Sequence, residues 1–211
     1  MSTGEKTKTA ASKDSGRVRY RLTGEQVFKM LDAGILPDAD FELWNGTLFL
    51  MTKGEPHNFV VGQTGDLLRK VVGDSYHVRE EKSTRHGKHS LPEPDLAIAR
   101  GGRGAYGNLP PRLSDLALLA EVCHTTESAD RGVKLRRYAE VGVPVYWVLD
   151  VIHRRVEVYQ NPLGRKNQAL YQERAIHSDG QDFPVILDGR EVGRLTVSDL
   201  FPAETKVGNG S

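Results

Sequence analysis

Apolar positions along this chain change period several times, and each change predicts an element. Val27, Met30, Leu31 and Gly34 follow helical spacing behind Thr23. Thr23 with Gln26 reads as a capping box, and Gly34 and Pro37 end the pattern. Phe41-Glu-Leu-Trp44 and Thr47-Leu-Phe-Leu-Met51 flank Asn45-Gly46, a strong hairpin signal. From Glu55 to Val72 the residues His57, Val60, Val61, Thr64, Leu68, Val71 and Val72 fall on one helical face, with Gly73 as the stop.

Tyr76–Glu81 reads as a strand, followed by a basic connection over residues 82–90. Leu91-Pro-Glu-Pro-Asp-Leu-Ala-Ile-Ala99 is a short apolar run, and Arg100–Arg112 is a Gly/Pro-rich loop. Leu116-Ala-Leu-Leu-Ala-Glu-Val122 is apolar on both sides of the alternation, which predicts a central strand covered on both faces. Asp130 is placed to cap a helix ending near Gly142, in which Leu135, Tyr138, Ala139 and Gly142 form the buried stripe and Arg136, Arg137 and Glu140 point away. Pro144–Leu149 predicts another buried strand, closed by Asp150, and Arg154–Tyr159 alternates like a half-exposed one. Short strands punctuated by Asp-Gly at 179–180 and 188–189 fill Gln168–Phe201. The order is that of an α/β fold, a mixed central sheet flanked by helices with extra C-terminal strands. No internal repeat is visible. Residues 1–16 are expected to be a disordered tail, 17–203 one domain and 204–211 a flexible tail.

Composition narrows the classes. With 211 residues and a formal net charge of +1, the chain is large enough for a real core, and any affinity for a polyanion must come from a local patch. Cys123 is the single cysteine, so no intramolecular disulfide or Cys-rich zinc site can form. No run reaches membrane-spanning length, and the polar N-terminus does not read as a secretory signal. The expectation is a soluble, cytoplasmic protein without a membrane partner.

The candidate chemistry lies at Asp95, Glu121 and Lys134. Carboxylates embedded in buried strands are costly unless something pairs them, and a divalent cation would pair both. Asp95, Ala97 and Ala99 share one face of their strand; Glu121, Leu119 and Ala117 share one face of theirs. If the strands are neighbours in suitable register, the two acids converge. Mg²⁺ or Mn²⁺ takes oxygen ligands of this kind. Lys134 sits at the edge of its helix's buried stripe, where it can reach past the end of the Glu121 strand. Spacing alone equally admits strand-end acids facing solvent and an ordinary surface lysine. It also reads Glu42 as an exposed hairpin residue, His57 as a core histidine, Asp150 as a turn cap, Cys123 as buried and inert, and Lys82, Arg85, His86, Lys88 and His89 as a solvated loop.

Phe41-Glu-Leu-Trp-Asn-Gly46, His57 opening a helix, Pro94-Asp95, Glu121-Val122, Asp130 with Lys134 and Tyr138, Gly142-Val-Pro-Val-Tyr-Trp-Val-Leu-Asp150 and Leu195-Thr-Val-Ser-Asp-Leu-Phe201 form an ordered set. As a set it resembles the PD-(D/E)xK nuclease superfamily and, more narrowly, is similar to the Uma-two family of restriction endonucleases, over about residues 20–201. The resemblance implies a restriction-endonuclease-like core and an Mg²⁺- or Mn²⁺-dependent endonuclease acting on DNA. It implies Asp95 and Glu121 as metal ligands and Lys134 as a catalytic lysine displaced from the position now held by Cys123. Glu42 becomes a further acidic member of the site, with His57 nearby as a phosphate ligand or proton carrier. A homodimer that cuts both strands is also implied. Val-Cys-His-Thr after Glu121 departs from the family pattern, which keeps open a nucleic-acid-binding or interaction module that has the fold without turnover.

Overall fold

The structure, a computed structural model, describes residues 18–37, 39–124 and 129–203. The expected tails at 1–16 and 204–211, and Thr125 after the Glu121 strand, lie outside the described residues. At the front of the chain, Gln26 N–H donates to Thr23 Oγ1 (3.2 Å) and Thr23 N–H donates to Gln26 Oε1 (2.9 Å). The capping box therefore starts α1 (Gly24–Asp32) as its spacing predicts. Only one edge of α1 is covered: Val27 is buried, whereas Phe28 and Leu31 are exposed. Leu31 is thus not a core position, because α1 packs on a single small cluster with Leu43 and Leu91.

Asn45 (φ 49°) and Gly46 (φ 81°) both adopt positive φ, the requirement of a type I′ turn, and join β1 (Phe41–Trp44) to β2 (Thr47–Leu50). α2 (Glu55–Val71) has Pro56 in its first turn and buries Val60, Val61, Thr64, Gly65 and Leu68. β3 (Tyr76–Glu80), β4 (Leu96–Arg100), β5 (Leu116–Cys123), β6 (Val145–Asp150), β7 (Arg155–Leu163) and β8 (Leu170–Ser178) form one six-stranded sheet in that spatial order. β5 and β6 run parallel and the other neighbours antiparallel. A parallel pair needs a crossover, and α3 (Val133–Val141) supplies it, ending at Gly142 with φ 83°. β9 (Asp182–Leu187) and β10 (Arg190–Thr196) form a separate hairpin around Asp188-Gly189.

β5 is buried along its whole length, as a strand covered on both faces should be. On one face, α2 and the β9–β10 hairpin enclose Leu96, Ile98, Leu118, Trp147 and Phe183. On the other, α3 encloses Ala97, Ala99, Leu119, Tyr138, Tyr146 and Val148. Among the described residues no helix is long and apolar enough to cross a membrane.

Three local expectations fail for identifiable reasons. Ala117 does not share a face with Glu121: Leu118 pairs with Ile98 but Leu116 with Ala99, so a β-bulge inserts one residue and turns Ala117 to the α2 side. Asp130 does not cap α3. Gly132 occupies that position without a side-chain cap, and Asp130 Oδ1 instead stands 3.2 Å from Lys134 Nζ. β7 is not half-exposed: Val156, Glu157, Val158 and Tyr159 are all buried because β8 covers its outer edge and Glu157 takes part in a buried ion network.

Candidate active site

Extending the β4–β5 ladder one step beyond Leu96↔Ala120 sets Asp95 opposite Glu121. Residues opposite one another in a ladder point to the same face. The acid pair therefore lies at the end of the two strands, on the face covered by α3. Asp95 Oδ2 accepts a 2.7 Å hydrogen bond from Val122 N–H, the residue next to Glu121.

The other oxygen of Asp95 faces α2. His57, in the first turn of that helix, brings Nε2 to 3.0 Å of Asp95 Oδ1. Extending the β3–β4 ladder one step likewise sets Glu81 beside Asp95, with Glu81 N–H donating to Asp95 O at 2.9 Å. Ligand atoms of His57, Glu81 and Asp95 all lie within 4.8 Å of one another. His57 Nδ1 is buried with no hydrogen-bond partner and stands 3.9 Å from Glu81 Oε1. Lys53 closes this side, its Nζ lying 3.1 Å from Glu81, 3.3 Å from Asp40 and 3.4 Å from Glu93.

Glu121 belongs to the opposite half. Tyr138 O–H donates to its Oε1 at 2.6 Å, and Lys134 Nζ stands 3.0 Å from its Oε2. Lys134 reaches it from the first turn of α3. Glu42, on β1, is only 5% exposed, with one oxygen buried and unpartnered. Arg137, expected to point outward, lies with its guanidinium 4.3 Å from the centre of the Trp44 ring. A cleft of about 360 Å³ opens between the halves, walled by Lys53, His57, Asp95, His124, Asp130 and Lys134. Glu121 does not reach the wall; it lies beneath Lys134.

Charge explains how the groups are held. Burial pushes Glu121 well above the usual carboxylate range, Lys134 pulls it back, and Asp95, Asp130 and Glu42 push it further up. Burial alone would depress Lys134, but Glu121, Asp130, Glu42 and Asp95 hold it above its ordinary value. Burial likewise raises Glu42, against Lys134 and Arg137. Burial would also raise Asp95, yet the His57 hydrogen bond and charge, Lys134 and the Val122 N–H bring it below its ordinary value.

His57, Asp95 and Lys134 therefore wall one cleft, while Glu121 and Glu42 lie behind Lys134, close enough to act on its charge. Asp150 is elsewhere in role. Its carboxylate is tied to Arg131 (2.6 Å), Arg155 (3.2 Å) and His153 (2.9 Å) in a buried network. Cys123 is buried, and Arg131 Nη1 donates to its Sγ at 3.1 Å. Of the basic loop, Arg85 Nε donates to Pro110 O and His89 Nδ1 pairs with Leu22 O, so both stitch backbone. Glu81, Lys53 and the hydroxyl of Tyr138 were not anticipated. Only the β3–β4 register reveals Glu81, and Tyr138 reads as an apolar stripe position.

A model of the Uma2 family, described as "Putative restriction endonuclease", matches residues 25–198. A crystal structure of a "putative nuclease belonging to DUF820" from Anabaena variabilis superposes with a TM-score of 0.61 at 19% identity, covering 85% of this chain and 97% of that one. A search of the curated proteins found no match.

Proposed function

The chain belongs to the Uma2 family, whose description reads "Putative restriction endonuclease", and from that premise we propose that it hydrolyses DNA phosphodiester bonds in a divalent-cation-dependent reaction at Asp95, Glu121 and Lys134. One observation carries the reading: an acid pair at the end of adjacent strands, with an ammonium 3.0 Å from one member and an imidazole 3.0 Å from the other, beside an open cleft. We place the reaction in the cytoplasm, with DNA as substrate.

The donor set fits a hard cation. Asp40, Glu81, Glu93 and Asp95 outnumber Lys53 and His57 on one side, and Glu42, Glu121 and Asp130 outnumber Lys134 and Arg137 on the other. Carboxylate oxygens suit Mg²⁺ or Mn²⁺, and the unpartnered Nδ1 of His57 marks a polar group awaiting a ligand. Asp95 would hold the ion with Glu81 and His57, whose ligand atoms lie within 4.8 Å of one another, and Glu121 would face it from the Lys134 side. Bound there, the cation would supply Lewis acidity, favouring ionisation of water and offsetting charge on a phosphoryl oxygen.

The chain's own groups do the rest. Hydrolysis adds water to phosphorus and breaks the bond to one sugar oxygen, which must take up a proton. Lys134 offers N–H donors at the cleft wall, where negative charge builds on the phosphoryl group. Tyr138 anchors Glu121, and the Val122 N–H with His57 fixes both oxygens of Asp95, so neither acid reorganises when substrate arrives.

The test is nicking of supercoiled plasmid with Mg²⁺ or Mn²⁺. Asp95→Asn and Lys134→Gln, each shown folded by near-UV circular dichroism, are expected to lose about 10²-fold or more in rate, the scale of removing one charge-stabilising group. Undiminished cleavage in both folded variants would remove these residues from the mechanism. One observation favours the second reading, a binding module without turnover: both oxygens of Glu121 are already engaged. Its signature is salt-dependent DNA binding with no cleavage under either metal.

A further inference from the structure

Among the described residues β3 is an edge strand, paired only with β4. Along its free side runs a second, larger groove of about 860 Å³, bounded by the C-terminal end of α2, the 3₁₀ turn at Arg103 and Asp40. Its cations are Arg69, Arg79, Lys82 and Arg103. Arg69 is already neutralised by Asp66 and Glu80. Among the described residues no carboxylate lies within ion-pair distance of Arg79, Lys82 or Arg103. Of the acids, Glu80 is paired with Arg69, and Glu81 and Asp40 share the single Lys53 with Glu93. The lining as a whole carries four cations and four acids, so what it offers an anion is not net charge but the three cations, Arg79, Lys82 and Arg103, that no carboxylate holds.

Arg79 is only half-exposed. Its Nη2 donates to Ser83 O at 3.3 Å, while its Nε is buried without a partner. His77, two residues back on the same face, feels these cations: burial and then the charges of Arg79, Arg103 and Arg69 push its imidazole below its ordinary value.

The groove leads to the candidate active site. His77 and Arg79 share one face of β3, roughly 7 Å apart, and Glu81 follows just beyond the strand with φ 47°. Its Oε1 stands 3.9 Å from Nδ1 of His57, which touches Asp95. Asp40 and Glu81 both hold Lys53, a wall residue of the cleft. An anion at Arg79 would therefore stand near the Glu81 end of the groove, beside the cleft.

Resting on the nuclease reading above, we infer that this β3 groove, through Arg79, Lys82 and Arg103, is the track on which the backbone of the nucleic acid lies as it enters the cleft past Glu81. Such contacts are to phosphates, so they set affinity and register without reading sequence. Two rival surfaces fall short. The loop after Lys82 spends Arg85 and His89 on backbone carbonyls. The cluster of Arg131, Arg155 and Arg174 is occupied by Asp150 and Glu157.

The experiment is fluorescence anisotropy of a labelled 30-base-pair duplex with the full chain in EDTA, at 50 and 200 mM salt. The variant is Lys82→Glu/Arg103→Glu, both exposed positions. Arg165→Glu/Lys166→Glu, in the β7–β8 connection, is the matched control. The groove variant is expected to bind at least tenfold more weakly. Its slope of log K against log salt should fall by about two, near 0.9 for each phosphate that is no longer neutralised. The control is expected to change less than threefold. A groove variant that loses no more than the control, or a wild type that binds no duplex, overturns the inference. Cleavage separates the two readings. Wild type that cuts DNA while the groove variant binds normally sinks the groove and leaves the nuclease. Wild type that never cuts under Mg²⁺ or Mn²⁺ while the groove variant loses binding keeps the groove and sinks the nuclease.

Discussion

Tyr138 and Lys134 divide the two oxygens of Glu121 between them, so removing either hydrogen bond strands a buried acceptor. Tyr138→Phe is expected to cost about 1–3 kcal/mol in urea unfolding, the penalty of an unsatisfied buried group. An unchanged midpoint would mean that Glu121 finds another donor. Glu157 tests a different residue-scale claim. Burial would raise its carboxyl, but hydrogen bonds from Tyr159 and Arg131, with Arg174, bring it below its ordinary 4.5. A depressed folded-state pKa gives stability that is present above pH 4.5 and lost as pH falls through the folded value. The stability gap between wild type and Glu157→Gln should therefore be widest near neutrality, about 1–3 kcal/mol given its half-exposed arginine partners, and shrink below pH 4.5. A gap constant with pH would contradict this. Lys134 was legible from its angle on α3. Glu42 was not legible from alternation, because an acid on a hairpin reads as solvent-facing until the surface opposite it is known. The burial of Glu157 was not legible for the same reason: its arginine partners come from the turn before α3, from β7 and from β8.

At the scale of elements, the hairpin carrying Glu42 depends on one glycine. Gly46 has φ 81°, and a Cβ there would stand 2.5 Å from Arg21 Cβ. Gly46→Ala is expected to destabilise the chain by about 1–3 kcal/mol through both strain and overlap. A melting temperature within a degree of wild type would show that the hairpin shifts freely. Asn45-Gly46 was legible because turn chemistry is local. The β5 bulge was not: a run of Leu and Ala satisfies either face, so nothing in Leu116–Leu119 says where the extra residue falls. The same applies to Glu81, whose place beside Asp95 follows from strand register across the fourteen-residue separation rather than from any motif.

For the whole molecule, the α/β class, the mixed sheet and the C-terminal strands were readable from the order of periods, because each needs only its own pattern. What converges where was not, since the site draws on β1, α2, β3, β4, β5 and α3. If the proposed cleavage cuts both DNA strands in one encounter, two clefts must meet on the duplex, and light scattering should then give twice the chain mass together with linearised plasmid. A monomer that linearises plasmid in single encounters would contradict that. The central claim is that Asp95 is the shared corner of a hard-cation site. Its most direct test is the Mn²⁺ dissociation constant by calorimetry for wild type and folded Asp95→Asn. The expected result is one bound ion in wild type and a loss of at least tenfold in affinity in the variant. Equal Mn²⁺ affinity in the two proteins would contradict it.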